Sequence, residues 1–205
     1  MNFPPPSPEY ENLIKRLDEI ENNYEIASMM AVPPYDLTSK QLDMCRGYRL
    51  LCHAEIESYI EEKALTLLNY SREIWRKSSE VNIVIVSLLA NFRFIENKNG
   101  QQNMTTTTKI YKIFKEFEGV IENNHGIKQK NIFNLFIPLG IEENEFDPAW
   151  LSTMDTYGSK RGETAHSSFQ TQQPIDLSTE KSSLLIILSG LLYLDKKVLE
   201  ICILS

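Results

Sequence analysis

Hydrophobic positions recur every three or four residues along most of this chain, which is the spacing that one face of an α-helix presents. The first such segment follows Ser7-Pro8, where serine can cap a helix and proline suits its first turn. Its apolar positions are Tyr10, Leu13, Leu17, Ile20, Tyr24 and Ala27. We expect this helix to end at Val32-Pro33-Pro34, because proline lacks an amide donor and disfavours helical geometry in the preceding residue.

A long second helix is predicted from Thr38 to about Lys77, since this segment contains no proline and only one glycine. Its apolar stripe is formed by Leu42, Cys45, Cys52, Ile56, Tyr59, Ile60, Ala64, Leu67, Leu68, Ile74 and Trp75. The following run, Val81 to Ile95, is open to two interpretations. Ile83-Val84-Ile85-Val86 is β-branched and suits a strand, whereas Leu88-Leu89-Ala90 extends the run to helical length. We favour a helix.

Two further helices are predicted in the second half of the chain. An exposed polar loop from Asn97 to Asn103 precedes a helix that begins near Thr107 and stops at Asn124-His125-Gly126. Asp147-Pro148 then starts a helical segment that runs to about Ser167, because aspartate can accept bonds from free backbone amides and proline suits the first helical position.

A short element from Asn131 to Phe136 and a final helix that begins at Ser178 or Thr179 complete the pattern. The final helix is apolar on nearly all sides, which indicates burial on more than one face. The sequence shows neither an internal repeat nor a convincing sheet pattern. We therefore expect an all-α fold, a bundle of about six or seven helices, in a single domain over residues 1–205. Residues 1–37 would form an N-terminal helix and proline-rich linker, and residues 38–205 the core.

Composition limits the function classes. The chain of 205 residues carries a formal net charge of −7. This balance argues against a broad nucleic-acid-binding surface, because such surfaces cluster Lys and Arg against phosphates. Any RNA contact must therefore be local.

The sequence also indicates a compartment. The three cysteines, Cys45, Cys52 and Cys202, are odd in number and show no CxxC spacing, so we expect buried thiols in a reducing environment. The start from Met1 to Pro6 has neither the basic residue nor the apolar core of a signal peptide. The longest apolar run, Leu184 to Leu194, is well short of the roughly 20 residues that span a bilayer. We expect a cytoplasmic protein without a membrane partner.

The chemically capable side chains are concentrated in one string, Tyr157-Gly158-Ser159-Lys160-Arg161-Gly162-Glu163-Thr164-Ala165-His166-Ser167. Arg161 can hold a phosphate through two parallel donors, and His166 can move protons near neutral pH. On an ideal helix these two residues would lie roughly 140° apart, so they converge only if the helix is distorted or a second copy supplies the partner. The alternative is that Lys160, Arg161 and Glu163 are solvated charges, and that His166 is a helix-end residue favoured by the macrodipole.

The segment Arg161-Gly162-Glu163-Thr164-Ala165-His166 resembles the signature of the HEPN superfamily, an arginine followed after four to six residues by a histidine, late in an all-helical domain. It is similar to a bacterial branch with an Arg-Gly-x-x-Ala-His-Ser string after a Leu-Asp-x-Tyr/Phe-Gly lead, here Met154-Asp155-Thr156-Tyr157-Gly158. The segment from Arg46 to Glu62 is similar to the first long helix of that branch. The two matches occur in the right order and cover most of the chain from about residue 40 onward.

This resemblance implies a metal-independent endoribonuclease that cleaves single-stranded RNA by attack of the 2′-hydroxyl, with no cofactor. It implies a toxin or phage-defence effector, which a neutralising antitoxin or immunity protein could restrain. It also implies a homodimer, in which two copies of the motif face each other across one cleft.

On the same resemblance, the candidate catalytic residues are Arg161, His166 and Glu163, and the candidate substrate-binding residues are Lys160, Ser159 and Tyr157. Family members often carry a polar residue directly after the arginine, whereas this chain has Gly162, which offers no side chain. Glu163 is the nearest substitute. A second hypothesis, from a different class, is a catalytically inactive HEPN-like helical module that binds a partner protein or a nucleotide through the same groove.

Outside the motif, Arg49, His53 and Glu57 are spaced four residues apart and therefore share one face of the long predicted helix. They could flank the cleft or form a structural hydrogen-bonded row, and the sequence leaves both interpretations open. Lys128 and Lys130 form a small basic loop that could contact RNA, although solvated surface is the simpler interpretation. The three histidines show neither an HxxxH nor an HExxH pattern, so no metal site is expected.

Overall fold

The computed structural model describes residues 5–92, 105–166 and 173–204. Within these ranges the chain forms eight α-helices and no strand, which confirms the predicted all-α class. The helices are α1 (Pro8–Asn23), α2 (Ile26–Met29), α3 (Ser39–Ser78), α4 (Ile83–Asn91), α5 (Thr106–Glu122), α6 (Gln129–Phe136), α7 (Pro148–His166) and α8 (Leu177–Leu204). Short 3-10 turns lie at Pro34–Asp36, Ile137–Leu139 and Glu143–Glu145. The short helix α2 is the element that the sequence pattern did not separate.

The first helix ends earlier than its apolar spacing predicted. α1 stops at Asn23 instead of continuing to Val32-Pro33-Pro34, because Glu25 adopts a left-handed conformation with a φ of 51°. This break redirects the chain so that Ile26 and Met29 of α2 enter the core. Apolar periodicity continues across such a break and therefore does not reveal it.

The predicted long helix is confirmed as α3, which spans 40 residues. A capping box fixes its start: the Thr38 hydroxyl accepts a bond from the Gln41 amide, and the Gln41 side chain accepts one from the Thr38 amide. The helices α1, α5, α7 and α8 all pack against α3. The motif on α7 is therefore held against the longest helix of the bundle.

The ambiguous β-branched run is helical. It forms α4, Ile83–Asn91, and the side chain of Asn82 caps its first turn by accepting a backbone amide. Residues 93–104, which include the end of that run and the predicted polar loop, lie outside the described residues. The next helix begins at Thr106, one residue before the predicted start, with Thr105 as its cap.

The N-terminal part of α7 is fixed by a close crossing with α8. Asp147 caps α7 as predicted, since its carboxylate accepts the Ala149 amide at 2.8 Å. Trp150 then lies against Gly190 of α8, where a Cβ atom would come within 2.2 Å of the indole ring. The indole Nε1–H donates to the Ile187 carbonyl at 3.0 Å. The crossing therefore depends on the absence of a side chain at Gly190.

The final helix begins at Leu177, one residue before the predicted start, because Asp176 caps it by accepting the Ser178 amide at 3.0 Å. Its apolar run does not reach membrane length. Among the helices that the structure describes, none is both long and apolar enough to cross a bilayer.

A buried polar cluster joins the N-terminal segment to α3 and α8. Asp195 is 0 % exposed, and its carboxylate accepts bonds from the Lys63 ammonium at 2.8 Å and the Tyr59 hydroxyl at 3.0 Å. It also accepts the backbone amide of Ser7 at 2.8 Å and the Ser7 hydroxyl at 2.6 Å. The start of α1 is thereby bonded to the same carboxylate as the middle of α3. The single domain over residues 1–205 stays a prediction.

Candidate active site

Helix α7 carries the string from Tyr157 to His166 as a continuous α-helix. Arg161 and His166 are five residues apart on this helix and so lie on different faces, roughly 140° from each other. Arg161 is partly buried, whereas His166, the last residue of α7, is exposed. Within one chain the two side chains do not converge. Ser167, the expected end of the segment, lies outside the described residues.

The side of α7 that carries Tyr157 packs against α3. The Tyr157 ring stacks on the His53 imidazole, with 6.4 Å between the ring centroids and an angle of 7° between the ring planes. Both side chains are buried, at 1 % and 2 % exposure. Arg161, one turn later on α7, is close enough for its positive charge to act on His53. The structure thus brings together His53, Tyr157 and Arg161, which lie far apart in the sequence.

His53 is neutral at physiological pH. Burial and, secondarily, the positive charge of Arg161 lower its pKa to about 4. A Glu57 carboxylate oxygen lies 3.4 Å from the His53 Nδ1 and would favour the protonated form, but burial and the arginine outweigh it. This contact lacks hydrogen-bond geometry, so the His53 Nδ1 has no hydrogen-bond partner among the described residues.

The Tyr157 hydroxyl is the second buried polar group at this place without a hydrogen-bond partner among the described residues. Burial, followed by the negative charge of Glu180, raises its pKa well above the usual value, so the phenol stays protonated. Buried polar groups in folded proteins nearly always have partners. The His53 imidazole and the Tyr157 hydroxyl are two buried polar groups without such partners among the described residues, and their rings are stacked. This distinguishes their contact from ordinary packing between helices.

Arg49 has a structural role beside this pair. Its guanidinium donates to both carboxylate oxygens of Glu180 on α8, at 2.7 and 2.5 Å, and to the Thr164 hydroxyl on α7 at 3.3 Å. Glu180 is 1 % exposed, which shields the pair from water. Arg49 therefore joins α3, α7 and α8, and its charge is matched by Glu180. This geometry supports the structural interpretation of Arg49. His53, one turn further along α3, lies instead close enough to Arg161 to feel its charge.

The other motif residues differ in exposure. Ser159 and Glu163 are exposed, and Lys160 is partly buried. In the part of the chain that the structure describes, neither Lys160 nor Arg161 has a carboxylate within ion-pair distance. Tyr157, by contrast, lies in the interior, so the structure does not bring it to the surface that Ser159 and Glu163 share. Arg161 has no ion-pair partner among the described residues, and Lys160 acts on Asp176 only from beyond ion-pair distance, so the last two turns of α7 are locally positive on an acidic protein.

The loop before α6 is attached to α7 beside the motif. Lys128 is the residue before the first turn of α6, but its side chain makes no capping bond. Asp155 of α7 caps α6 instead, because its carboxylate accepts the Gln129 amide at 2.7 Å. Gly158 faces Lys128, and a Cβ atom at Gly158 would lie 3.0 Å from the Lys128 Cγ and 3.4 Å from its Cε. Sequence reasoning missed both contacts. The sequence carries no signal for them, because both contacts join segments that are more than 20 residues apart in the chain.

The described ranges hold no cluster of three or more His, Cys, Asp or Glu side chains that could bind a metal ion. The side chains that the candidate site offers are the partly buried cation Arg161, the exposed imidazole of His166, and the stacked pair of His53 and Tyr157.

Comparison with protein families gives a match over most of the chain. The family model described as RiboL-PSP-HEPN matches residues 11–198, which include α3, α7 and most of α8. The chain therefore belongs to the RiboL-PSP-HEPN family, as the HEPN resemblance implied. Searches of curated proteins and of solved structures gave no match. The particular bacterial branch and the assignment of its Arg-Gly-x-x-Ala-His motif stay predictions.

The low pKa of His53 predicts a fold that is sensitive to acid. The unfolded chain takes up a proton on this residue as the pH falls through the ordinary value of 6.5, whereas the folded chain keeps it neutral until about pH 4. Between these values the unfolded state binds more protons. The free energy of unfolding should therefore fall with falling pH, by on the order of 3 kcal/mol across this window, and His53 should add no slope above it.

Urea unfolding across this pH window measures the effect, with His53→Gln as the matched control. The carboxylates titrate in both proteins, so the difference between the two pH dependences isolates His53. Equal dependences would contradict the prediction. A direct NMR titration that finds the His53 imidazole protonated near its ordinary pKa would contradict it as well.

Proposed function

We propose that this protein is a metal-independent endoribonuclease that cleaves single-stranded RNA. The observation that carries the proposal is the state of Arg161. It is partly exposed, has no carboxylate partner among the described residues, and lies one turn after the buried stack of Tyr157 on His53. In a RiboL-PSP-HEPN chain, a guanidinium held in this way supports a role in binding the charged phosphodiester of RNA.

The reaction needs little beyond proton transfer and charge stabilisation, because RNA carries its own nucleophile. In the proposed reaction, His166 takes the proton of the ribose 2′-hydroxyl, and the 2′-oxygen forms a bond to the adjacent phosphorus. The bond from phosphorus to the 5′-oxygen breaks, and this oxygen leaves with a proton from a second acid. Arg161 stabilises the negative charge that develops on the phosphoryl oxygens. The products are a 2′,3′-cyclic phosphate and a 5′-hydroxyl.

The second acid suggests a homodimer. Because Arg161 and His166 lie on different faces of α7, we propose that the cleft forms between two copies whose α7 helices face each other. Each copy then supplies one histidine. Lys160 and Ser159 are the proposed substrate-binding residues, and Glu163 is the proposed replacement for the polar residue missing at Gly162. Tyr157 supports the cleft from the interior through His53.

We further propose that the protein acts in the cytoplasm as a toxin or phage-defence effector. A ribonuclease that needs no cofactor is active as soon as it folds and assembles. Such an enzyme has to be restrained in its own cell, which is the reason for expecting an antitoxin or immunity protein as a partner.

The second candidate function is a catalytically inactive module that binds a partner protein or a nucleotide in the same groove. Gly162 is the observation that favours it. Among the described residues other than its two chain neighbours, no atom outside its own helix backbone lies within 4 Å of where its Cβ atom would be. None of these residues therefore takes the place of the polar group that family members have beside the arginine. Binding without cleavage would distinguish this function from the first.

Cleavage of a single-stranded RNA in the presence of EDTA tests the proposal. We expect cleavage to continue with the chelator, because the proposed chemistry uses protein groups alone, and the products to end in a 2′,3′-cyclic phosphate. Mass spectrometry of the fragments identifies that end. Activity that EDTA abolishes and a divalent ion restores would contradict the mechanism, and binding without any cleavage would favour the inactive module.

A further inference from the structure

We propose that Lys128 is a second phosphate-binding residue, which holds the RNA phosphate next to the one that Arg161 binds. This inference rests on the proposed function, because it describes part of the same substrate site. It concerns a loop that precedes α6 and lies outside the Arg-His motif.

The Lys128 side chain follows a defined path along α7. Asp155 fixes the loop to α7 by accepting the Gln129 amide at 2.7 Å, directly after Lys128. The lysine stem then runs across Gly158, because the place of a Cβ atom there is 3.0 Å from the Lys128 Cγ and 3.4 Å from the Lys128 Cε. Both ends of the stem contact the same residue. The absence of a side chain at Gly158 thus provides a groove for the lysine.

The Lys128 ammonium lies one bond beyond the Cε atom that faces Gly158. Arg161 follows Gly158 by three residues, and residues at this spacing are neighbours on a helix surface, with about 5–6 Å between their Cβ atoms. The Lys128 stem therefore crosses α7 at a position next to that of Arg161.

Charge supports the same assignment. This protein has a net charge of −7, and many of its lysines and arginines contact a carboxylate, as Lys181 does with Glu21 at 2.6 Å. Neither Lys128 nor Arg161 has such a partner among the described residues. A cation without a carboxylate partner attracts a phosphate group. A strand of RNA, with one phosphate per nucleotide, can contact two such cations through successive phosphates.

Lys130, the second residue of α6, provides the matched control. It carries the same charge two residues further on, but it lines a different surface pocket with Asn131 and Asn134 of α6. The sequence alone did not separate the two lysines. The structure does, because Lys128 alone of the two lies over Gly158.

The test measures binding of a short 2′-O-methyl oligoribonucleotide, which cannot be cleaved, by fluorescence anisotropy at several salt concentrations. Lys128→Ala should weaken binding several-fold at low salt and reduce the slope of log affinity against log salt by about 0.7, the value for one phosphate contact to a single strand. Lys130→Ala should leave the slope unchanged. Gly158→Ala keeps the charge but displaces the lysine stem, so it should weaken binding in the same direction as Lys128→Ala.

Equal effects of Lys128→Ala and Lys130→Ala would overturn the inference, since they would indicate nonspecific attraction of RNA by positive charge and no specific contact at Lys128. An unchanged slope in Lys128→Ala, or no binding of the oligonucleotide by the unaltered protein, would also overturn it. Cleavage of ordinary RNA is measured separately and distinguishes the two proposals. If the protein cleaves RNA and Lys128→Ala changes neither binding nor cleavage, only the inference on Lys128 is contradicted. If RNA binding depends on Lys128 but no cleavage occurs, only the proposed ribonuclease activity is contradicted.

Discussion

His166→Ala should lower the rate of RNA cleavage by about 10²- to 10⁴-fold, which is the range that a positioned general acid or base contributes. His166 is the exposed last residue of α7, so the free energy of unfolding should change by less than about 0.5 kcal/mol. Arg161→Lys should also lower the rate, because an ammonium keeps the charge but loses the planar pair of donors. Initial rates on a labelled RNA and urea unfolding of each variant measure these effects.

His125→Ala is the matched control for this prediction. His125 is likewise exposed, but it lies between α5 and α6, outside the motif. Its removal should leave the rate unchanged. A His166→Ala protein that cleaves at the normal rate, or one that no longer folds, would contradict the catalytic role.

Mixing the unaltered protein with His166→Ala tests whether the cleft is shared between copies. If one cleft needs the histidines of both chains, one as base and one as acid, only dimers of two unaltered chains are active. Random exchange of subunits in an equal mixture should then leave about a quarter of the activity of the same total amount of unaltered protein, against about half if each chain acts alone. A mixture that keeps about half, or a protein that is monomeric by light scattering, would argue against the shared cleft.

Much of the fold could be predicted from apolar spacing, because helices that pack on one another repeat that spacing over many turns. Capping residues indicated two of the helix starts, as Ser7 and Asp147 show. The break at Glu25 could not be predicted, since a left-handed glutamate has no sequence signal comparable to glycine. The pattern therefore merged α1 with α2.

The candidate site was predictable only in part. The motif indicated Arg161 and His166, and helical spacing indicated that they diverge. Spacing within a helix does not reveal which faces of two helices meet, so the contact of His53 with Tyr157 needed the packing of α3 on α7. The same limit applies to Lys128, because its path depends on a turn of α7 that lies far along the chain.

Lys63→Met should destabilise the protein by about 3–5 kcal/mol, because it leaves Asp195 buried without its cation. Asp195 is 0 % exposed, and the two side chains are in contact at 2.8 Å. Although burial raises the pKa of Asp195, hydrogen bonds from Lys63 and Ser7 hold it below the usual value, so the carboxylate is ionised in the folded protein. Without the ammonium, the carboxylate must either stay charged in the interior or take up a proton, and both raise the free energy of the folded state.

Lys181→Met is the matched control, since Lys181 also contacts a carboxylate of another helix, Glu21, at 2.6 Å. Its side chain is 40 % exposed, so the loss should be no more than about 1 kcal/mol. Urea unfolding of both variants gives the comparison. Equal losses would mean that burial adds nothing to the Lys63–Asp195 pair.

A larger loss for Lys63→Met should come with weaker protection of the first turn of α1 from hydrogen exchange, because Lys63 and Asp195 both bond Ser7, which caps that helix.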